Sequence, residues 1–347
     1  MSDQPHFPGR RAVLAAMALG PALAAPAVAQ GRQRLRLGLA AGGAVAQDDL
    51  APMADRLAAA LAAVSDGALG LEVTGAAGLD TLAAGSVDAV LGAQDAWLDA
   101  DPAFGLFTGC PLGLTPTEFE AFVLQGGGQE MWDRLCEPFG IKALFAGDTG
   151  PRVAGWFPRE LGGAPDFNGL EVRAEGLGAV ALQGLGARIV PADGAVAAES
   201  LGLAADLNAG AAQRFAVVHG PALTRPHCAV ALSIGRASWD RLSEGARAQI
   251  ESVTLAEADA MAASALTARI AAEAELASAG KEILSLAPAI YGDIGPPTAE
   301  AVAAHLRDRS ALRFGWEDYR NFVIEVAGWS AIGDGAFALA RARALGV

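Results

Sequence analysis

The sequence predicts an α/β protein of two domains with a long domain-spanning helix. Three observations carry that prediction. Short alternating or apolar runs, such as Leu35–Leu39, Leu69–Val73 and Val87–Leu91, are separated by segments with apolar residues at helical spacing, such as Leu50–Val64 and Leu79–Ala84. That alternation implies right-handed crossovers and a mostly parallel sheet. The stretch Ala246–Ala279 holds no Gly or Pro and is rich in Ala, Glu, Leu and Arg, so it reads as one helix too long for a single small domain. The 347-residue chain is also long enough for two domains of ordinary size.

The elements follow in order. After a turn-rich loop over Pro111–Pro116, Glu118–Leu124 and Gln129–Phe139 read as helices parted by Gly126-Gly127-Gly128. Ala143–Ala146 and Val153–Phe157 read as strands. Leu170–Ala174, Ala179–Leu185 and Arg188–Val190 make a strand–helix–strand unit. Ser200–Ala212 is helix-like, and Ala229–Ile234 reads as a strand returning to the first domain. Gly280 suits the left-handed cap of the long helix. Trp316–Ala344 is helical with breaks near Gly328 and Gly333, and its aromatic residues read as packing groups. The expected domains are 33–155 plus 228–262, and 156–227 plus 263–347.

Residues 1–29 read as an export signal. Arg10-Arg11 precede the apolar stretch Ala12–Leu19, Gly20-Pro21 breaks it, and Ala27-Val28-Ala29 offers small residues for cleavage before Gln30. The paired arginines raise the twin-arginine route, with an ordinary secretory signal as the alternative. A periplasmic location follows from either. No other apolar run reads as long enough to cross a membrane.

The net charge of −14 excludes nucleic acid and anionic lipid as natural partners. Cys110, Cys136 and Cys228 lack metal-site spacing and allow either one disulfide or buried thiols. Dinucleotide, P-loop and nucleophile-elbow motifs are absent from the sequence, so no cofactor is expected. Asp48-Asp49, and Asp206 with Glu199, read as solvated helix faces.

Arg173 is the strongest candidate for chemistry. It ends the strand pattern Gly169-Leu-Glu-Val-Arg173 before Gly176-Leu-Gly178. A guanidinium keeps its charge, so at a strand end it needs an anion, and its fork matches a carboxylate.

Further motifs extend this reading: Asp101-Pro-Ala-Phe104, Gly113-Leu-Thr-Pro116, Gly126-Gly-Gly-Gln-Glu130 with Trp132, Gly147-Asp-Thr-Gly150, Gly155-Trp-Phe157, and Tyr319-Arg320 with Phe322 and Trp329. In this order the chain resembles the extracytoplasmic substrate-binding proteins of tripartite ATP-independent periplasmic (TRAP) transporters, in the branch that binds 2-oxo and 2-hydroxy acids. The resemblance implies a two-domain periplasmic binding protein closing on a small organic acid, with Arg173 gripping its carboxylate and Trp156 and Phe157 beside the cleft. It implies delivery to membrane permease subunits and allows a homodimer through the C-terminal helix. Where similar proteins carry a glutamine that helps hold a cation, this chain has Arg152. Where they carry a glutamate followed by tryptophan, Asn208 or Ala209 stands, so Asn208 joins the ligand-binding candidates and no metal is expected. The expectation is a solute-binding protein and not an enzyme. An exported scaffold or sensor with a degenerate pocket, and an exported enzyme, are the alternatives.

Overall fold

A computed structural model describes residues 32–310, 312 and 315–345. The signal-peptide assignment lies outside these residues. The first sheet contains β1 (Gln33–Ala40), β2 (Leu69–Ala77), β3 (Ala89–Gly92), β4 (Ile141–Asp148) and β10 (Ala229–Gly235), in the order β2-β1-β3-β10-β4. β1 runs parallel to β2 and β3, while β10 enters antiparallel between β3 and β4. β10 is thus the returning strand that the sequence predicts.

The second sheet has the order β11-β9-β5-β8-β6-β7, built from β5 (Gly155–Phe157), β6 (Glu171–Arg173), β7 (Arg188–Ile189), β8 (Ala197–Glu199), β9 (Val217–Gly220) and β11 (Ile283–Ser285). The helices are α1 (Gln47–Val64), α2 (Leu79–Ala83), α3 (Pro116–Gln125), α4 (Gly128–Cys136), α5 (Gly176–Gly184), α6 (Leu203–Asn208), α7 (Ala211–Arg214), α8 (Arg236–Asp240), α9 (Glu244–Ser278), α10 (Pro288–Arg309), α11 (Gly315–Ser330) and α12 (Asp334–Leu345).

α9 is the long helix, 35 residues, capped at its start by the Ser243 hydroxyl accepting from the Ala246 N–H. Its far end stops at Gly280, whose φ of 71° is the left-handed position that favours glycine. Ile250, Val253 and Ala258 pack into the core of the first sheet, and Ala272 and Leu276 pack under the second. α10, which the sequence reading did not resolve, spans in the same way. Ile290 and Ile294 join a core of the second sheet, and Val302 and Leu306 join the first.

Trp316 and Tyr319 of α11 are buried against the first core, where the Tyr319 hydroxyl accepts from the Leu114 N–H. Beyond them the character changes. Trp329, Ile332 and Phe337 are 72, 72 and 66 % exposed. Gly315–Leu345 spans 31 residues and holds an 18-residue window with a mean hydropathy of 1.3, which by length and composition alone meets the test for a membrane crossing, contrary to the sequence expectation. It is broken between Ser330 and Asp334 into α11 and α12. All three cysteines are free and buried. Burial raises the Cys136 and Cys228 thiols to about 12, which makes them inert packing groups.

Candidate functional site

Two chain segments cross between the sheets, and they run side by side. The Thr149 N–H donates to the Cys228 carbonyl and the Arg152 N–H to the Pro226 carbonyl, each at 3.0 Å. The residues on these crossings, with the ends of β6 and β8, form a buried polar cluster.

Arg173 ends β6 opposite Ala198 of β8, and Ala198 in turn faces Trp156 of β5. The register puts Arg173, Ala198 and Trp156 on one face of the sheet, beneath α6 and α7. There they line a cavity of about 290 Å³ with Asp206, Arg214 and Phe215. Nη2 of Arg173 donates to the Glu199 carbonyl at 2.7 Å. Among the described residues no carboxylate lies within ion-pair distance of Arg173. A main-chain carbonyl orients the guanidinium without neutralising it, so its charge stays available to a ligand.

Trp156 is buried and donates its Nε1–H to Asp206 Oδ2 at 2.9 Å. The Ser200 hydroxyl donates to the same oxygen at 2.5 Å, and the Leu201 N–H donates to Oδ1 at 3.1 Å. Burial pushes the Asp206 carboxyl above the usual range, against these hydrogen bonds and the charge of Arg152. The aromatic partner of Trp156 behaves differently. Successive residues of a strand point to opposite faces, so Phe157 turns into the core behind the sheet, against Phe167 and His219. Phe157 does not line the cavity.

Arg152 is 5 % exposed, and its Nη2 reaches only the Thr149 hydroxyl at 3.3 Å. Nε and Nη1 are buried without a hydrogen-bond partner. Its chain neighbours Thr149 and Pro151 line a second cavity of about 340 Å³ between α1, α6 and α9, and Leu201 and Ala205 line both cavities. The structure therefore buries Arg152, which itself lines neither cavity.

Asn208 stands apart from this group. It is exposed at the end of α6 and lines neither cavity. The acid whose backbone meets the end of β6 is Glu199, which ends β8 and is followed by Ser200. Glu199 is buried, accepts from the Thr224 hydroxyl at 2.5 Å and lies 3.8 Å from Arg225 Nη2. Arg225 also pairs with Asp95 at 2.7 Å. Burial works against the Arg225 charge, but Glu199 and Asp95 more than restore it and hold the guanidinium protonated. Asp148 and His227 make a second buried pair at 2.6 Å. Glu199 and Asp206, which read as solvated faces in the sequence, are both interior groups.

Two glycines let these pieces meet. A side chain at Gly155 would strike the Ala198 carbonyl, and one at Gly178 would strike the Glu199 carboxylate. The glycines around Arg173 thus bring the start of α5 against the end of β8.

No protein-family profile matches the chain. It is 26 % identical over 285 residues, 77 % of its length and 76 % of the relative's, to a monocarboxylate 2-oxoacid-binding periplasmic protein of Nostoc sp.. Its structure superposes on a TRAP transporter solute-binding protein of Bordetella bronchiseptica with a TM-score of 0.78 at 18 % identity, covering 90 % of this chain and 98 % of the other. That protein is described as a mixed-occupancy dimer with copurified calcium and picolinate. A TRAP periplasmic solute-binding protein of Colwellia psychrerythraea, with bound calcium and pyruvate, gives a TM-score of 0.78 at 18 % identity over 89 % of this chain and 99 % of its own. The chain has the two-domain fold of the TRAP periplasmic solute-binding proteins, and it is similar in sequence to a 2-oxo acid binder.

The residues of this site do not fit a cation of the kind those two structures hold. Among the described residues no group of three or more His, Cys, Asp or Glu is arranged to hold a metal. Asp206, which lines the first cavity, is engaged by three protein donors, and the buried Glu199 by Thr224 and Arg225, while Asp49 lines the second cavity.

Proposed function

We propose that the chain is an exported, periplasmic solute-binding protein that captures a small organic acid and delivers it to TRAP permease subunits. The observation that carries this reading is Arg173, whose unneutralised guanidinium lines a cavity of about 290 Å³ against the apolar ring of Trp156. A low-dielectric wall strengthens a guanidinium–carboxylate pair. The Nostoc relative is named for 2-oxo acid binding and the Colwellia protein holds pyruvate, so 2-oxo and 2-hydroxy monocarboxylates are the first ligands to try. Arg173 grips the carboxylate, Trp156 backs it and Arg152 supplies further positive charge. Nothing in this arrangement calls for catalysis. Native mass spectrometry of the purified protein, followed by calorimetric titration with a panel of such acids, tests the reading. Retention or micromolar binding of one acid is expected, and a protein that binds none of the panel would sink it.

A second copy of the chain is the partner proposed for the C-terminal helices. Trp329, Ile332, Phe337 and Leu345 leave a large apolar surface exposed, and the Bordetella protein is a dimer. Light scattering after size exclusion is expected to give twice the chain mass. A monomer that instead floats with lipid vesicles would assign this surface to a membrane.

A further inference from the structure

The buried bridge at Arg225 carries an inference that rests on the carboxylate-capture reading and deepens it. The geometry points to Arg225 as an ionic latch that holds the two sheets together over a captured acid, with Glu199 joining the latch to Arg173.

Three observations converge. The first is where the two carboxylates come from. Asp95 stands in the turn after β3 of the first sheet, and Glu199 ends β8 of the second. Arg225 lies on the segment that crosses from β9 to β10, and offers Nη1 to Asp95 at 2.7 Å and Nη2 to Glu199 at 3.8 Å. The side chains of Arg225, Asp95 and Glu199 are 4 %, 1 % and 2 % exposed. A guanidinium suits this two-sided grip, because its donors point in fixed and separate directions. When the sheets part, Arg225 can follow one carboxylate but not both, and the acid left behind must be met by water.

The second is that each acid is anchored on its own side. Asp95 Oδ2 also accepts from the Ala44 N–H, in the loop after β1, at 2.9 Å. Its Oδ1 is buried with no hydrogen-bond partner, and among the described residues Arg225 is the one ion-pair partner of this acid. Glu199 is fixed by its register opposite Gly155 of β5. Two carboxylates mounted on separate sheets meet one guanidinium only in one arrangement of those sheets, and a buried bridge selects an arrangement more than it adds stability.

The third is the contact that closes beside the bridge. α5 lies between β6 and β7 of the second sheet, yet Leu177 at its start is buried in the core of the first. A side chain at Gly105 would strike Leu177, and one at Gly176 would strike Leu98, so the two halves touch here without spare room. The next residue, Gly178, abuts the Glu199 carboxylate, and the Glu199 carbonyl accepts from Arg173. One run of contacts thus leads from Arg173 through Glu199 to Arg225 and Asp95, sealed by Leu177. An acid bound at Arg173 bears on the same residue that the latch holds.

The test uses the mature full-length protein with Asp95→Asn and Glu199→Gln, which keep side-chain size and remove one charge each. Small-angle X-ray scattering gives the radius of gyration with and without pyruvate, and stopped flow gives the rates of pyruvate association and release. Both variants should be more expanded than the wild type in both conditions. They should release pyruvate about ten-fold faster, with the association rate changed by less than about two-fold. Arg225→Lys is a second route that keeps the charge in place: one ammonium holds one carboxylate, so this variant should expand as the others do. Equal radii in the wild type and the variants, or unchanged release, overturn the inference by making the bridge a packing feature. If pyruvate binds to none of these proteins, the carboxylate reading has failed for this acid. The radii of the ligand-free proteins still decide the latch, larger variants supporting it and equal ones excluding it.

Discussion

Arg225 and Arg152 sit on the two chain segments that cross between the sheets, both almost wholly buried, yet their surroundings are opposite. Arg225 lies between two carboxylates, with Asp95 at 2.7 Å and Glu199 at 3.8 Å. Arg152 has the Thr149 hydroxyl and, among the described residues, no carboxylate at ion-pair distance, although its charge acts on Asp206. Residue type and burial are shared, so neither separates a neutralised arginine from one without a paired carboxylate. What separates them is whether the protein supplies the counter-charge. Arg173 falls on the side of Arg152: a carbonyl positions it and no carboxylate neutralises it.

That contrast fixes the order of the expected effects. Arg225→Met should do the greatest damage to the fold, because it strands two buried carboxylates. Breaking such a pair costs roughly 3–5 kcal/mol, which urea denaturation would register. A loss under about 1 kcal/mol would mean that Asp95 and Glu199 are balanced elsewhere. Arg173→Ala should show the reverse pattern. Truncating one member of a desolvated charge pair costs about 2–5 kcal/mol of binding, so acid affinity should drop by roughly a hundred-fold while the melting temperature barely moves. A variant that loses stability and keeps affinity would erase the distinction between the two arginines.

The sequence shows one part of this distinction and hides the other. The long helix read over Ala246–Ala279 is Glu244–Ser278 in the structure, because an unbroken run of helix formers ending at a glycine is a local signal. Arg173 likewise announces itself by its place at a strand end. Glu199 does not. It ends a three-residue strand, Ala197–Glu199, too short for any periodicity, and its partner Arg225 lies 26 residues away on another segment. The fate of an acid depends on that long-range pairing, so Glu199 and Asp206 looked like surface charges. Phe157 was misplaced for a simpler reason: it is adjacent to Trp156, and strand alternation allows only one of them to face the cavity.

Trp156 gives a smaller and more selective effect. Trp156→Phe keeps an aromatic wall but removes the donor to Asp206. Losing one partner of a buried acceptor costs about 1–3 kcal/mol. The pH dependence carries the sign. The Asp206 carboxyl is already raised by burial, so its contribution to stability is largest below the unfolded-state value and declines as pH rises through the folded one. Without the indole N–H the folded value moves higher still. The stability gap between wild type and Trp156→Phe should therefore widen from mildly acid to neutral pH in thermal melts. A gap that stays constant would place the loss in packing and not in the carboxyl.

Asn208 should give the smallest effect, and it tests which shape of the cleft matters. It is exposed at the end of α6 and lines neither cavity. Surface substitutions of this kind stay within about 0.5 kcal/mol, so Asn208→Ala should change neither melting temperature nor acid affinity. Unlike Arg173, Asn208 gains a role only if α6 moves. Should Asn208→Ala weaken binding ten-fold, α6 must swing toward the ligand on capture. Arg152 and Arg173 would then act in a cleft whose walls are completed by the acid itself.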